Sequence, residues 1–482
     1  MSQIDLYFQQ AQEAFLVFKT LENDKKSAFL EEMASQIDAV RNQLVPTAAR
    51  ESHLPEGRIT GELGRTLGQI KLFAKLIAEG SWVEAVIDHA DPERSPLPKP
   101  DIRRMLRPLG PVVVFGASNF PLAFSTAGGD TVSALAAGCP VIYKAHPAHP
   151  ETSRMVAEAI RTAVRLSKLP KGVFQHVEGG AETGQELAAH PLAKAVAFTG
   201  SFRGGKALFD TANRREVPIP VYAEMGSVNP IFAFEKRLDN QMEALAGAYV
   251  SSLSLGVGQF CTNPGLIFIP QSAEANFSAA VASLLEEVVS APMLHEGIAK
   301  SYYTSLENLK SSNKLEWLKT ATASELLTGN AAFAKVQAAD WLDDDDFQEE
   351  VFGPFGIMVV YKDGGELEQI ALQLKGQLTC TVWAEEAELE DNQGFLNLLE
   401  EKCGRLLFKG VPTGVEVGYA MQHGGPYPST TDSRSTSVGT HAIKRFVRPV
   451  AYQDMPGKFL PDALKEANPL GIWRTVDGSW MK

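Results

Sequence analysis

One thiol, one carboxylate and one amide in this sequence sit where they could do chemistry. Cys261 lies in Gly256-Val-Gly-Gln-Phe-Cys-Thr-Asn-Pro-Gly265, where three glycines and an Asn-Pro step surround a single sulfur just ahead of an apolar strand signal. A permissive backbone can present a nucleophile, and a thiol attacks only as thiolate, so it needs a cation, a helix N-terminus or a base beside it. Glu224, in Val221-Tyr-Ala-Glu-Met-Gly-Ser-Val-Asn-Pro230, follows an apolar strand and precedes a glycine loop. A carboxylate kept partly dry at a sheet end can reach the pKa of a general base. Asn119, ahead of Phe120 and Pro121, can aim its amide N–H at a developing oxyanion. Each also has a structural reading: Cys261 as a small buried apolar group, Glu224 as a salt-bridged strand end, Asn119 as a loop cap. Pattern alone leaves both open.

A nucleotide site is less plainly written. The G-x-G-x-x-G run expected after a first nucleotide-binding strand is missing, and Gly116 stands alone. Lys144 closes the next strand and can reach a ribose or phosphate. Gly180, Gly184 and the segment Gly200-Ser201-Phe-Arg203-Gly-Gly-Lys206 offer close backbone approach and two cations near a helix start, which suits a dinucleotide phosphate. His423 lies in a glycine-rich loop and can tune a thiol or simply bond to backbone. The run Asp343 to Asp346 reads as a solvated acidic loop, and Cys139, Cys380 and Cys403 read as packing residues. No metal site is expected.

The elements that must position these groups follow from periodicity. Residues 1–90 carry apolar positions at three- and four-residue steps, as in Ala14, Phe15, Phe18 and Leu21, and predict helices. From Asp91 to Pro108, five prolines and four arginines predict an extended ribbon. Strands are then expected at Pro111–Phe115, Pro140–Lys144, Gly172–Val177 and Val196–Gly200. Helices are expected at Thr126–Ala137, Thr152–Leu166 and Gln185–Ala189. This alternation predicts a parallel sheet with helical crossovers, a dinucleotide-type half. Beyond Pro220 the pattern resumes with Ile231–Phe234, Met242–Ser254 and Leu266–Pro270, a second α/β unit. Residues 424–439, rich in Gly, Ser, Thr and Pro, predict an irregular loop packed over a site.

With 45 basic against 58 acidic residues the net charge is −13, a field that repels nucleic acid and anionic lipid. Four cysteines with no C-x-x-C pair predict reduced thiols and no structural zinc. No leader-like opening or long apolar run appears, so a cytoplasmic enzyme is expected.

Taken together and in this order, the segments resemble the aldehyde dehydrogenase superfamily over most of residues 100–450. The family's N-F-P asparagine falls on Asn119, its strand-end lysine on Lys144, its E-L-G-G glutamate on Glu224, its G-Q-x-C thiol on Cys261, and its E-x-F-G-P segment on Glu350 to Pro354. The resemblance implies an α/β fold: a Rossmann-type cofactor domain over 1–223 with an oligomerisation ribbon near 91–110, a catalytic domain over 224–415, and C-terminal loops and tail over 416–482. It implies that Cys261 attacks an aldehyde, that Asn119 and the Cys261 N–H hold the oxyanion, and that Glu224 activates the hydrolytic water. Glu350 would bind the nicotinamide ribose hydroxyls with Phe352 packed nearby, and Lys144, Ser201, Gly180 and Gly184 would hold the adenosine ribose and pyrophosphate. Many NAD-preferring relatives carry Glu three residues after the lysine, and here that residue is Pro147. With Arg203 and Lys206 nearby, NADP is expected, with NAD possible.

The segments Gly116–Phe124, Lys144–Pro150 and Met421–Pro428 resemble the branch containing α-ketoglutaric semialdehyde (2,5-dioxopentanoate) dehydrogenases and, next to it, NADP-dependent fatty aldehyde dehydrogenases. The first is favoured by Gly414-Val-Glu-Val and Ser437–Phe446. Phe120, His423 and Arg434 are the candidate substrate contacts. A small-molecule aldehyde is the expected partner, together with a second or further copies of the chain as a homodimer or homotetramer, and neither nucleic acid nor membrane.

Overall fold

The computed structural model describes residues 2–323 and 327–482. Four helices open the chain, Gln3–Phe18, Asn23–Ala39, Arg41–Ser52 and Glu56–Glu79, as the three- and four-residue spacing requires. The last three bury Phe29, Met33, Leu44, Ile59, Leu63, Ile70 and Phe73 in one core with the first sheet.

That sheet is wholly parallel. Its strands run in the order Phe174–Val177, Val141–Lys144, Val112–Phe115, Ala195–Thr199, Val221–Glu224. The chain starts at the centre, winds to one edge, returns and winds to the other. Strand order therefore reverses between Val112–Phe115 and Ala195–Thr199, and ligands of open α/β sheets bind at the carboxyl ends of strands at such a reversal. Val112–Phe115 is buried throughout and Ala195–Thr199 over its first three residues, both between neighbouring strands, which is why they read as apolar runs.

The second sheet has seven strands in the order Glu316–Lys319, Ala332–Gln337, Phe355–Tyr361, Leu266–Pro270, Ile231–Ala233, Gln377–Trp383, Cys403–Phe408. All its pairings are parallel except the first. The Pro-rich ribbon forms a third sheet: Ile102–Pro108 pairs antiparallel with Val447–Gln453 on one side and Val86–Asp88 on the other, and the tail strands Arg474–Val476 and Ser479–Met481 complete it.

The helical span Glu235–Ser254 is kinked at Gln241 (φ −140°, ψ 29°), so the helix expected from Met242 begins there, and a short helical segment precedes it whose first N–H groups, those of Lys236 (2.9 Å) and Arg237 (3.2 Å), donate to the Glu388 carboxylate. The helix expected from Thr126 begins at Gly129, since residues 120–128 fold into turns and Gly128 packs so tightly that a Cβ would sit 2.6 Å from the Ala123 carbonyl. Residues 409–439 hold no helix or strand, a stretch that contains the irregular loop expected over 424–439, and no described helix is long and apolar enough to cross a membrane.

Candidate active site

Glu224 is the last residue of the first sheet's edge strand, so the seam between the two sheets begins at its side chain. The strand is covered from the other direction by the irregular loop: Met225 N–H donates to Ser429 O (2.8 Å), Thr431 N–H to Ala223 O (3.1 Å), and Ala223 N–H to Thr431 Oγ1 (2.9 Å). This edge pairing seats His423 and Ser437 over the carboxylate. His423 Nε2 lies 3.0 Å from Glu224 Oε1, and Ser437 Oγ donates to Glu224 Oε2. The loop holds His423 by its own backbone, with Thr436 Oγ1 accepting its N–H (2.9 Å) and its carbonyl accepting Ser437 N–H (2.8 Å).

Cys261 comes from the other sheet. The approach to it runs through Gly256, Val257 and Gly258, all at positive φ (56°, 59° and 65°), a conformation a β-branched residue adopts only when its surroundings force it. Gly258 meets the Gly353–Pro354 backbone, where a Cβ would stand 2.3 Å from the Gly353 carbonyl carbon. Beyond the thiol, Asn229 Nδ2 donates to the carbonyls of Cys261 and Asn263 (2.9 Å each), and Asn263 Nδ2 to Gly353 O (3.2 Å). Gln377 Oε1 accepts from Ser227 Oγ and from the N–H groups of Val228 and Asn229. One buried amide network thus ties the Glu224 loop to the Cys261 loop. The sequence reading missed Asn229, Gln377 and Ser437; the Asn-Pro step after Glu224 was the available signal for the first.

The thiol lies 3.5 Å from His423 Nε2, so sulfur, imidazole and carboxylate form one cluster whose ligand atoms all lie within 4.8 Å of one another. Burial and the Glu224 charge push the Cys261 thiol well above its ordinary pKa, with Arg65 pulling the other way. Burial alone would raise the Glu224 carboxyl; the nearby His423 and the hydrogen bond from Ser437 outweigh it and hold it below the ordinary value. Asn119 Nδ2 donates to Gln259 O (3.2 Å), which fixes the amide two residues from the thiol and leaves its second N–H to offer.

A cleft of about 800 Å³ opens at the sheet's reversal point and ends at these groups. Asn119, Glu224 and Cys261 line its inner end, and Lys144, Gly180, Gly184, Ser201, Arg203, Glu350 and Phe352 line the rest. The helices Ala181–Ala189 and Phe202–Asn213 start at this cleft with Gly180 and Ser201 as caps, so unsatisfied N–H groups face it. A Cβ on Gly180 would meet nothing within 4 Å. Lys144 has no acidic partner among the described residues, and burial lowers its pKa. Glu350, raised to about 7 by burial, is the carboxylate at the far wall. Two positive helix ends, an unpaired ammonium and a carboxylate suit a dinucleotide with anionic phosphates and free ribose hydroxyls.

Two candidates stand elsewhere. Lys206 bonds both carboxylate oxygens of Asp210 one turn along its helix (2.7 Å each), which neutralises it and keeps it off the cleft. Arg434 is exposed, forked onto Asp432, and lines no cavity by the thiol. Phe120 and His423 do line a second cavity, of about 330 Å³, that reaches Cys261 from the opposite side.

Comparison with known proteins agrees with this geometry. Residues 1–434 match the model of the aldehyde dehydrogenase family. The chain is 45% identical over 481 residues to the α-ketoglutaric semialdehyde dehydrogenase of Acinetobacter baylyi, covering 99% of this chain and 91% of that one. It is 46% identical over 471 residues to α-ketoglutaric semialdehyde dehydrogenase 2 of Azospirillum brasilense, covering 97% and 90%. Among solved structures, the glyceraldehyde-3-phosphate dehydrogenase GapN of Methanocaldococcus jannaschii, complexed with NADP, shares the fold with a TM-score of 0.78 at 19% identity, over 94% of each chain.

Proposed function

The chain belongs to the aldehyde dehydrogenase family, and from that premise we propose that it oxidises α-ketoglutaric semialdehyde to 2-oxoglutarate with a nicotinamide dinucleotide as hydride acceptor. The observation that carries the reading is the convergence of Cys261, Glu224 and Asn119 at the inner end of the cleft, in a chain so similar throughout to two enzymes of that name.

In this mechanism Cys261 gives up its proton to solvent and adds to the aldehyde carbon as thiolate. Asn119 Nδ2 and the Cys261 backbone N–H stabilise the oxygen that gains charge in the thiohemiacetal. The bound nicotinamide supplies the acceptor for the hydride that leaves this carbon. Glu224 then takes a proton from the water that attacks the Cys261 thioester, and carbon–sulfur cleavage releases the acid and restores the thiol. Ser437 and His423 orient that carboxylate through both of its oxygens.

Lys144, Gly180, Gly184 and Ser201 would hold the adenosine ribose and pyrophosphate, Glu350 the nicotinamide ribose hydroxyls, and Phe352 would pack beside them. NADP is the favoured cofactor: Pro147 brings no carboxylate to the 2′-position, and Arg203 lines the cleft with no acidic partner among the described residues. The enzyme works in the cytoplasm as a homodimer or homotetramer, the edge strand Val447–Gln453 offering an unpaired row of backbone groups to a second copy.

The test is cofactor reduction with α-ketoglutaric semialdehyde and with decanal in one preparation. A kcat/KM at least tenfold higher for the semialdehyde, about 1.4 kcal/mol of transition-state preference, is expected. A preference for decanal overturns the substrate assignment and leaves the family.

A further inference from the structure

The second cavity holds a cation with nothing to bind. It is walled by Phe120, Phe124 and Phe260, reaches Cys261 and His423, and is floored by the helix Glu56–Glu79. Along that helix Arg58, Glu62 and Arg65 recur at helical spacing and share one face. Gly57 and Gly61, also on the lining, have nothing within 4 Å of where a Cβ would stand, so the space beside the arginines is open.

The three charges are not equivalent. Glu62 is consumed: it pairs with Arg58 Nη1 and accepts the N–H groups of Leu122 (2.8 Å) and Ala123 (2.9 Å). Arg58 is consumed with it, its guanidinium lying 4.5 Å from the Phe120 ring centre. Arg65 has no such partner. Its Nε and one terminal nitrogen are buried without a hydrogen bond, and its guanidinium lies 5.9 Å from the Phe120 ring centre and 5.5 Å from that of Phe124. The half-buried guanidinium stays charged, and its remaining terminal nitrogen is the one open to the cavity, where its N–H groups can donate to a carboxylate.

We propose that Arg65 is the specificity-determining residue of this enzyme, binding the carboxylate at the far end of the aldehyde substrate while the aldehyde carbon lies at Cys261. The assignment deepens the function proposed above and rests on Cys261 being the nucleophile. It replaces Arg434, which is spent on Asp432 at the surface. Short aldehydes that end in a carboxylate are thereby selected over apolar aldehydes of equal length, because an apolar tail leaves the guanidinium unmet.

The test uses the full-length enzyme with saturating cofactor and two five-carbon aldehydes, α-ketoglutaric semialdehyde and pentanal. In Arg65→Met, kcat/KM for the semialdehyde falls about hundredfold further than kcat/KM for pentanal, chiefly through KM. Arg65→Lys recovers part of the loss, since it restores charge without the guanidinium. Equal losses on both aldehydes, or none on either, overturn the assignment. A second readout needs no turnover: 2-oxoglutarate raises the melting temperature of Cys261→Ala protein, and the rise disappears when Arg65→Met is added. Retention of that rise overturns the assignment as well. Failure of the wild type to oxidise either aldehyde would instead refute the proposed activity, with the 2-oxoglutarate shift still deciding Arg65.

Discussion

His423 Nε2 and Glu224 Oε1 stand 3.0 Å apart with side chains only 1% and 3% exposed, and the same nitrogen faces the Cys261 sulfur at 3.5 Å. The hydrogen-bond partner of this nitrogen is the sulfur, while Glu224 Oε1 is buried without a hydrogen bond of its own and keeps a lone pair free to take a proton. The carboxylate is held ready to act as base while the nucleophile is held in reserve.

Replacing Glu224 by Gln separates the two halves of the reaction. Thiol addition and hydride loss continue, while no base draws the proton from the hydrolytic water. Rapid mixing of Glu224→Gln with aldehyde and NADP is expected to give a burst of reduced cofactor near one equivalent per site. A steady rate lower by about 10²- to 10⁴-fold follows. A loss of burst and steady rate together would sink the assignment of Glu224 to hydrolysis.

The thiol's elevated pKa has a direct signature. Burial and the Glu224 charge raise it, so the thiolate fraction at neutral pH is small and climbs as pH rises above the ordinary thiol range. Inactivation of the cofactor-free enzyme by iodoacetamide should accelerate steadily with alkaline pH. In Glu224→Gln the profile should move to lower pH, because a negative charge beside the sulfur has been removed. An unmoved profile would mean that Glu224 does not govern the thiol.

Glu350 predicts how cofactor affinity depends on pH. Burial lifts its pKa to about 7, so the free site is largely protonated in mildly acidic solution, and only the carboxylate accepts two ribose hydroxyls. The dissociation constant for NADP should fall as pH rises through about 7 and level off above it. In Glu350→Gln the curve should be flat over that range. Titration by protein fluorescence quenching checks both.

Arg203 and Lys206 lie three residues apart and should behave differently. Arg203→Ala is expected to reduce the NADP-over-NAD ratio of kcat/KM by about 10- to 100-fold, the worth of a charge-assisted contact of roughly 1.5–3 kcal/mol. Lys206→Ala should change it less than about twofold, since Asp210 already neutralises that ammonium. Equal effects would show that the 2′-phosphate reaches past the helix start.

What the sequence showed was local. Each strand of the parallel sheet was an apolar run bounded by Gly or Pro, and Cys261, Glu224 and Asn119 each sat in a segment of unusual backbone chemistry. What it concealed was long-range. The Glu388 cap on the helix at Glu235, the Gln377 anchor on Val228 and Asn229, and the seat of Ser437 on Glu224 join positions more than 140 residues apart. Substrate charge recognition was hidden for a related reason: Arg434 looked close in sequence to the roofing loop, whereas Arg65 sits on an ordinary amphipathic helix whose spacing speaks only of packing. Its role depends on Glu62 choosing Arg58, and nothing in the chain's periodicity expresses that choice.

The roofing loop also sets a schedule for the newborn chain. Glu224 leaves the ribosome 213 residues before Ser437, and Cys261 leaves 162 residues before His423. At a synthesis rate of about 5–20 residues per second, sulfur and carboxylate spend roughly ten seconds or more without the groups that orient them. Both of these sheets can be complete by then, since the last strand of the second ends at Phe408. Catalytic competence is therefore acquired only once the roofing loop has emerged and seated on the two sheets.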